Sequence, residues 1–464
     1  MTTDEIVRNH LFDEIAVGDN AVWTKTIMRD DMLMFGMLSE NPSASQLSGA
    51  GMRPTTAVWA GALASAFLTT KYPGPGTLCL SQTYELEKEI ALGDSLTITV
   101  TAREKDTAKK SILFECKCLD GMGNTVFSGS IKVTAPVNRF LGRMEAMPEI
   151  LFRRRERYEQ LIARCRGLSR LRAAVVHPCD ASSITAAVDA AKEKILTPIL
   201  VGPVLKIRAA SASAGVDIRE FQIVDVPHSH AAAEKAVELV RLGQAELLMK
   251  GSLHTDEVLG AVVKKDTGLR TERRISHCFV MDVPTYPKTL VITDAAVNIF
   301  PTLADKVDIV QNAIDLVRSL GLDHPRVAIL SAVETVNPKI PSTIDAAALC
   351  KMADRGQIVG ASLDGPLAFD NAISTAAAEI KGIHSDVAGR ADILVVPDLE
   401  AGNMVYKNLG FLADADAAGI VLGARVPIIL TSRADSTRTK IASCAVASLY
   451  AHSQQRRAHA SAAE

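Results

Sequence analysis

From Leu171 onward the chain repeats one pattern, a short β-branched run followed by a helical stretch, and this repetition constrains the fold more than any other feature. Arg172–Val176, Thr197–Val201, Ile218–Val226 and Ala245–Lys250 each lead into a helical pattern, and Thr289–Thr293, Arg326–Leu330, Ile358–Ser362, Ile393–Val396 and Pro427–Leu430 have the same apolar character. Strands separated by helices are too far apart in sequence for hairpins and need crossovers, so the expected sheet is mostly parallel with both faces covered. The spacing predicts a two-lobed α/β/α domain of roughly 300 residues with a cleft between the lobes. In open sheets of this kind ligands collect at the carboxyl ends of the strands.

Those ends are polar. Lys250-Gly251-Ser252, Thr293-Asp294, Ser331-Ala332-Val333-Glu334, Asp364-Gly365-Pro366, Pro397-Asp398 and Thr431-Ser432-Arg433-Ala434-Asp435 each follow an expected strand. Six such ends predict one polar cleft. Gly251 permits close backbone approach to an oxyanion and Lys250 supplies a point charge, while Ser432 offers a hydroxyl and Arg433 a planar fork for a phosphate or thioester oxygen. Asp435 is placed to take the proton of an attacking thiol, whose unperturbed pKa is about 8.5. A structural reading competes with this one: Asp435 and Ser436 also suit the N-terminal cap of a helix over 437–451. His254 and His277 could each be a phosphate donor or a satisfied structural histidine.

The first 137 residues have a different pattern. A helix of small apolar residues is expected over Thr56–Phe67 and a shorter one over Asp30–Leu38, with strands at Ala21–Thr26, Thr77–Glu87, Ser95–Glu104, Ser111–Leu119 and Val126–Val133. The expected packing is an α+β unit with one long helix wrapped by antiparallel strands. Residues 138 to 172 contain ten arginines; 138–165 reads as a solvated, arginine-rich linker, with a docking surface for nucleotide phosphates as the alternative, and the second domain as 166–464.

Composition removes other classes. With 51 Lys+Arg against 53 Asp+Glu and 4% aromatic residues, neither an electrostatic footprint nor stacking platforms for nucleic acid are expected. Acids in Met1–Ile6 and the lack of a long apolar run predict a cytoplasmic protein without membrane spans. Eight scattered cysteines read as reduced core thiols, Cys116 and Cys118 sharing one strand face. No metal-site spacing, P-loop or dinucleotide fingerprint is present.

The segments K-G-S-L-H-T-D-E (250–257), R-R-I-S-H (273–277), T-D-A-A-V-N (293–298), S-A-V-E (331–334), D-G-P-L-A-F-D (364–370), V-P-D-L-E-A-G-N (396–403) and L-T-S-R-A-D-S (430–436) resemble, in this order, those of phosphate acetyl/butyryltransferases. The resemblance implies reversible transfer of an acyl group, acetyl by preference, between coenzyme A and inorganic phosphate, with no bound cofactor or metal and no covalent intermediate. Ser432 and Arg433 would steady the thiol and the transition state, and Asp435 would be the base. It also implies substrate contacts from Lys250, Gly251, Ser252, His254, Thr255, Arg274, Ser276, Asp294, Asn298, Asp364 and Asn403.

Residues 1–137 resemble the hot-dog fold of MaoC-like enoyl-CoA hydratases through the helix after Pro54, P-G-P-G-T (73–77) and A-L-G-D (91–94). The order of the two units is similar to that of bifunctional enoyl-CoA hydratase/phosphate acetyltransferases. In the hydratase pattern D-x-N-P-x-H, Asn41-Pro42 is kept, but Ser39 and Ala44 stand at the acid and base positions and neither can exchange protons near neutrality. The first unit is therefore expected to bind, assemble or regulate, and the chain to form a dimer or larger homo-oligomer. Alternatives are an acyl-CoA-binding regulator without turnover and a phosphate butyryltransferase with residual hydratase activity.

Overall fold

The computed structural model describes residues 6–28, 31, 34–35, 38, 57–88, 90, 93–143, 156–431 and 435–463. The chain forms two compact units, Met1–Phe152 and Arg153–Glu464. The hydratase-pattern positions Ser39, Glu40, Asn41, Pro42 and Ala44 lie outside the described residues, as do Ser432 and Arg433.

In the first unit β1 (Ile6–Arg8) pairs with β7 (Leu141–Arg143), and β2 (Asn20–Thr26), β3 (Leu78–Leu86), β4 (Ser95–Asp106), β5 (Ser111–Leu119) and β6 (Thr125–Thr134) form an antiparallel sheet in the order β2-β4-β5-β6-β3. Period-two alternation sends Leu96, Ile98, Val100 and Ala102 of β4 into the core, while the threonines between them keep some surface. The helix Ala57–Thr70 packs Leu63, Ala64, Phe67 and Leu68 against this face, next to Cys116 and Cys118. Close approach is possible because Gly61 has no side chain: a Cβ there would lie 2.5 Å from the Tyr84 ring, whose hydroxyl donates to the Gly61 carbonyl at 3.0 Å. One long helix against an antiparallel sheet is the hot-dog arrangement.

In the second unit an 11-stranded sheet runs β10-β9-β8-β11-β18-β17-β12-β13-β16-β14-β15. The strands are β8 (Leu171–Val176), β9 (Leu196–Gly202), β10 (Gln222–Asp225), β11 (Leu247–Lys250), β12 (Ser276–Asp282), β13 (Leu290–Thr293), β14 (Arg326–Leu330), β15 (Ser362–Leu367), β16 (Ile393–Val395), β17 (Asp416–Leu422) and β18 (Ile428–Ile429). Pairing is parallel except at β18-β17, β17-β12 and β12-β13. Two strands, β12 and β17, had no counterpart in the sequence reading, and they reverse the chain direction in the middle of the sheet. Consequently the loops after β8 to β11 and β18 leave toward one edge and those after β13 to β16 toward the opposite edge, yet both sets start from one row across the sheet, because Met249, Ile429, Ile420, Cys278, Thr293 and Val395 are in register.

Two further corrections are local. Ile358–Ser362 is not a strand: the Gln311 side-chain amide donates to the Val359 carbonyl at 3.1 Å and accepts from its N–H at 2.9 Å, and Gly360 turns the chain at φ +87°. The strand instead begins at Ser362, so Asp364 and Pro366 lie within β15. In the stretch read as a solvated linker, the helix Glu156–Cys165 buries Ile162 and Cys165 in the second unit, Arg157 pairs with Asp282 at 2.6 Å, and Arg438 stacks on Tyr158 at 4.0 Å. Its charged residues hid an apolar face.

The opposite faces of this sheet are covered differently. One carries a single cluster in which helices Leu303–Ser319 and Thr437–Ala463 pack on Cys278, Val280, Ile420 and Ile429. The other carries two clusters side by side, one around Val421 and Ile428 and one around Met281 and Ala417. Gly419 lies between them on β17.

Candidate active site

The loop after β11 is tightly constrained. Gly251 N–H donates to the Val176 carbonyl at 2.9 Å, and a Cβ at this position would stand 2.4 Å from that same oxygen. The Ser252 hydroxyl donates to the His177 carbonyl at 2.9 Å and accepts from Cys179 N–H at 3.1 Å, which ties this loop to the one after β8. His254 and Thr255 start the helix Thr255–Val262, and the His254 N–H donates to Glu257 at 3.1 Å. The Ser229 hydroxyl above all holds the Glu257 carboxyl below its usual range; burial opposes it, and the His254 N–H adds a smaller lowering effect.

Lys250 is buried and, with Gly251, shares a cavity of about 10 Å³ with Asp180, Ser182, Ser183, Thr431 and Lys440. That is room for about one water molecule. Lys440 is only 4% exposed and donates to the Ser182 hydroxyl, 258 residues away in sequence. Sequence reasoning missed Lys440, Asp180 and Ser182. A trace of a signal existed: the helix that begins at Thr437 has cations at Arg438 and Lys440 and no acid in its first turn, the reverse of what the helix dipole favours.

Asp435 is half-buried. Burial first, and the Asp435 charge second, push the Tyr406 hydroxyl up to about 12. Ser436 is the cap the sequence suggested, its hydroxyl accepting from Thr439 N–H at 3.1 Å.

At the opposite edge a second set of expected site residues is joined by hydrogen bonds. The Asp294 carboxylate accepts from the N–H groups of Ala296, Val297 and Asn298 at 2.9, 3.0 and 3.2 Å and from the Asn298 amide at 2.6 Å. Burial raises the Asp294 carboxyl against the pull of these donors. Asn298 also donates to the Ile275 carbonyl at 2.8 Å and accepts from Arg274 Nε at 2.8 Å. Asn312 donates to the fully buried Ser276 hydroxyl at 2.9 Å, and Asn403 to the Ala295 carbonyl at 3.4 Å. Asp294, Asn298 and Ser276 are thus engaged within the protein; Arg274 is exposed, held at Nε by Asn298 and with its Nη1 3.5 Å from the Asp305 carboxylate. Asp364 accepts from its neighbour Gly365 N–H at 2.8 Å, within β15.

His277 is fully buried, neither ring nitrogen has a hydrogen-bond partner, and burial pushes its pKa down to about 3. It is a neutral imidazole packed edge-on against Phe279 at 4.2 Å. Larger hollows of about 370 and 1030 Å³ elsewhere in the unit are lined by none of the expected site residues. Among the described residues there is no group of three His, Cys, Asp or Glu able to hold a metal ion, and no helix long and apolar enough to cross a membrane.

The family model described as "Phosphate acetyl/butaryl transferase" matches residues 229–448. A phosphate acetyltransferase of Rhizobium meliloti is 66% identical over 295 residues, which is 64% of this chain and 93% of the relative. A phosphate butyryltransferase of Clostridium acetobutylicum is 42% identical over 294 residues, 63% of this chain and 98% of the relative. The crystal structure of a branched-chain phosphotransacylase from Enterococcus faecalis V583 superposes with a TM-score of 0.55 at 33% identity, covering 61% of this chain and 99% of that one. Identity of this degree over nearly the whole length of such relatives means that the chain belongs to the phosphate acetyl/butyryltransferase family and is an acyltransferase.

Proposed function

We propose that the second unit transfers an acetyl group reversibly between coenzyme A and inorganic phosphate, by direct attack of the coenzyme A thiolate on the carbonyl of acetyl phosphate. The observation that carries this reading is the 66% identity over 93% of a phosphate acetyltransferase, against 42% for a phosphate butyryltransferase. Asp435 takes the thiol proton, Ser432 orients the thiol, and Arg433 stabilises the oxyanion that develops as the phosphate leaves. Lys250 and Lys440 bring positive charge to the same sheet edge, where a doubly charged phosphate group must be desolvated. Arg274, Asp294, Asn298 and Asn403 shape the opposite edge.

In this reading the first unit keeps the hot-dog arrangement but not hydration, because Ser39 and Ala44 replace the proton-transferring pair. It serves assembly of a cytoplasmic homo-oligomer or acyl-CoA binding. The test is release of free thiol from acetyl-CoA. Release that requires phosphate and collapses in Ser432→Ala is expected; no release from folded protein that still binds coenzyme A would favour the regulatory alternative. Hydration of crotonyl-CoA by the same preparation would contradict the assignment of the first unit.

A further inference from the structure

We infer that the Phe279 ring is the wall on which the substrate's acyl group ends, and that it limits the acyl chain to acetyl. This inference rests on the acyltransferase reading above and adds the residue that sets its chain length.

The argument starts from the alternation of β12. His277, Phe279 and Met281 point to the face that carries two apolar clusters; His277 and Met281 are fully buried, and Phe279 keeps some surface. The Phe279 ring lies parallel to that of Tyr406, with centroids 3.6 Å apart and planes 3° apart. Beside the Phe279 ring is Gly419. A Cβ on Gly419 would stand 2.5 Å from the Leu430 carbonyl oxygen, 3.2 Å from His277 Nε2 and 3.5 Å from the Phe279 ring, so the Phe279 ring rests directly on backbone. The floor cannot yield toward the sheet.

The position of this floor ties it to the chemistry. Leu430, whose N–H donates to the Gly419 carbonyl at 3.4 Å, is followed directly by Thr431, which lines the small cavity with Lys250 and Lys440, and the Asp435 charge adds to burial in raising the Tyr406 hydroxyl. A thioester carbonyl held at this loop must direct its alkyl end to an apolar surface, and the Phe279–Tyr406 pair is such a surface, its Phe279 ring lying beside Gly419 and Leu430 at the start of the loop. A rigid aromatic wall meets a longer chain with overpacking, and one methylene in such a pocket changes kcat/KM about 10- to 200-fold. Removing the ring opens space for the longer chain.

The test compares acetyl-, propionyl- and butyryl-CoA in phosphate-dependent thiol release by the full chain and by Phe279→Ala and Phe279→Leu. Phe411→Ala, 85% exposed on the same helix as Tyr406, is the control. The butyryl-to-acetyl ratio of kcat/KM is expected to rise at least about tenfold in Phe279→Ala, less in Phe279→Leu, and to stay unchanged in the control. A ratio that stays at the wild-type value in Phe279→Leu, or a wild type that accepts butyryl as readily as acetyl, overturns the inference while leaving the acyltransferase reading intact. Wild-type protein inert with all three thioesters removes that reading first. If Phe279→Ala fails to fold, Phe279→Leu alone decides, since it keeps most of the packed volume.

Discussion

The two edges of the central sheet carry equally polar loops, yet they use their polar groups differently. At the edge reached by β11 and β18, Lys250, Thr431 and Lys440 from three separate elements meet around one small cavity, and the Lys440 ammonium donates to a neutral hydroxyl. At the other edge the groups are matched to one another: Asp294 accepts four hydrogen bonds, Asn298 uses both ends of its amide, and Arg273 pairs with Asp315 at 2.6 Å. A buried polar group with all its partners inside the protein stabilises a loop and has little left for a ligand. Around the small cavity two buried lysines share the space with one carboxylate, Asp180, and with hydroxyls, a balance that leaves net positive charge. Polar composition alone therefore does not show how a loop uses its polar groups; the hydrogen bonds do.

Substitutions at the two edges should fall into different classes. The largest effect is expected for Arg433→Ala, which should lower kcat about 10³-fold, near 4 kcal/mol of transition-state stabilisation, with an unchanged melting temperature. Asp294→Ala should do the reverse. It leaves three backbone N–H groups and the Asn298 amide without their acceptor, and should cost ~3 kcal/mol or more in urea denaturation. A variant that keeps its full stability while losing turnover would instead make Asp294 a reacting group and erase the contrast.

His277 sharpens the comparison through pH. Its folded-state pKa of about 3 lies below the ordinary 6.5, so the native protein holds the neutral ring while the unfolded chain takes up a proton. The stability this contributes is present above pH 6.5 and is lost as pH falls, by about 2 kcal/mol at pH 5. His277→Phe should shrink the difference between urea midpoints at pH 7.5 and pH 5. An undiminished difference would mean that other groups govern acid sensitivity. The smallest effect is expected at the helix cap: Ser436→Ala should cost about 1 kcal/mol and leave thiol release nearly unchanged, separating capping from chemistry in the 431–436 segment.

Local sequence determined a good deal. Periodicity located β2 to β6 and the long helix of the first unit to within a few residues, because period two and an all-apolar helix depend only on near neighbours along the chain. The repeated strand-helix units announced a mostly parallel sheet for the same reason, and seven segments in family order carried the acyltransferase assignment. Ser436 as a cap and Cys116 and Cys118 as core residues were legible from spacing alone. What the sequence could not determine depended on partners far away in the chain. β12 and β17 are short runs whose antiparallel pairing reverses the sheet, and only that reversal brings the polar strand ends of both halves to one row while turning their loops in opposite directions. Asp364 lies inside a strand because Gln311 occupies the backbone groups of the segment before it. Lys440 meets Ser182 across 258 residues, and Gly419 brings His277, Phe279 and Leu430 into contact; such meetings are created when the chain packs, since no local propensity encodes which distant surface a buried side chain will face.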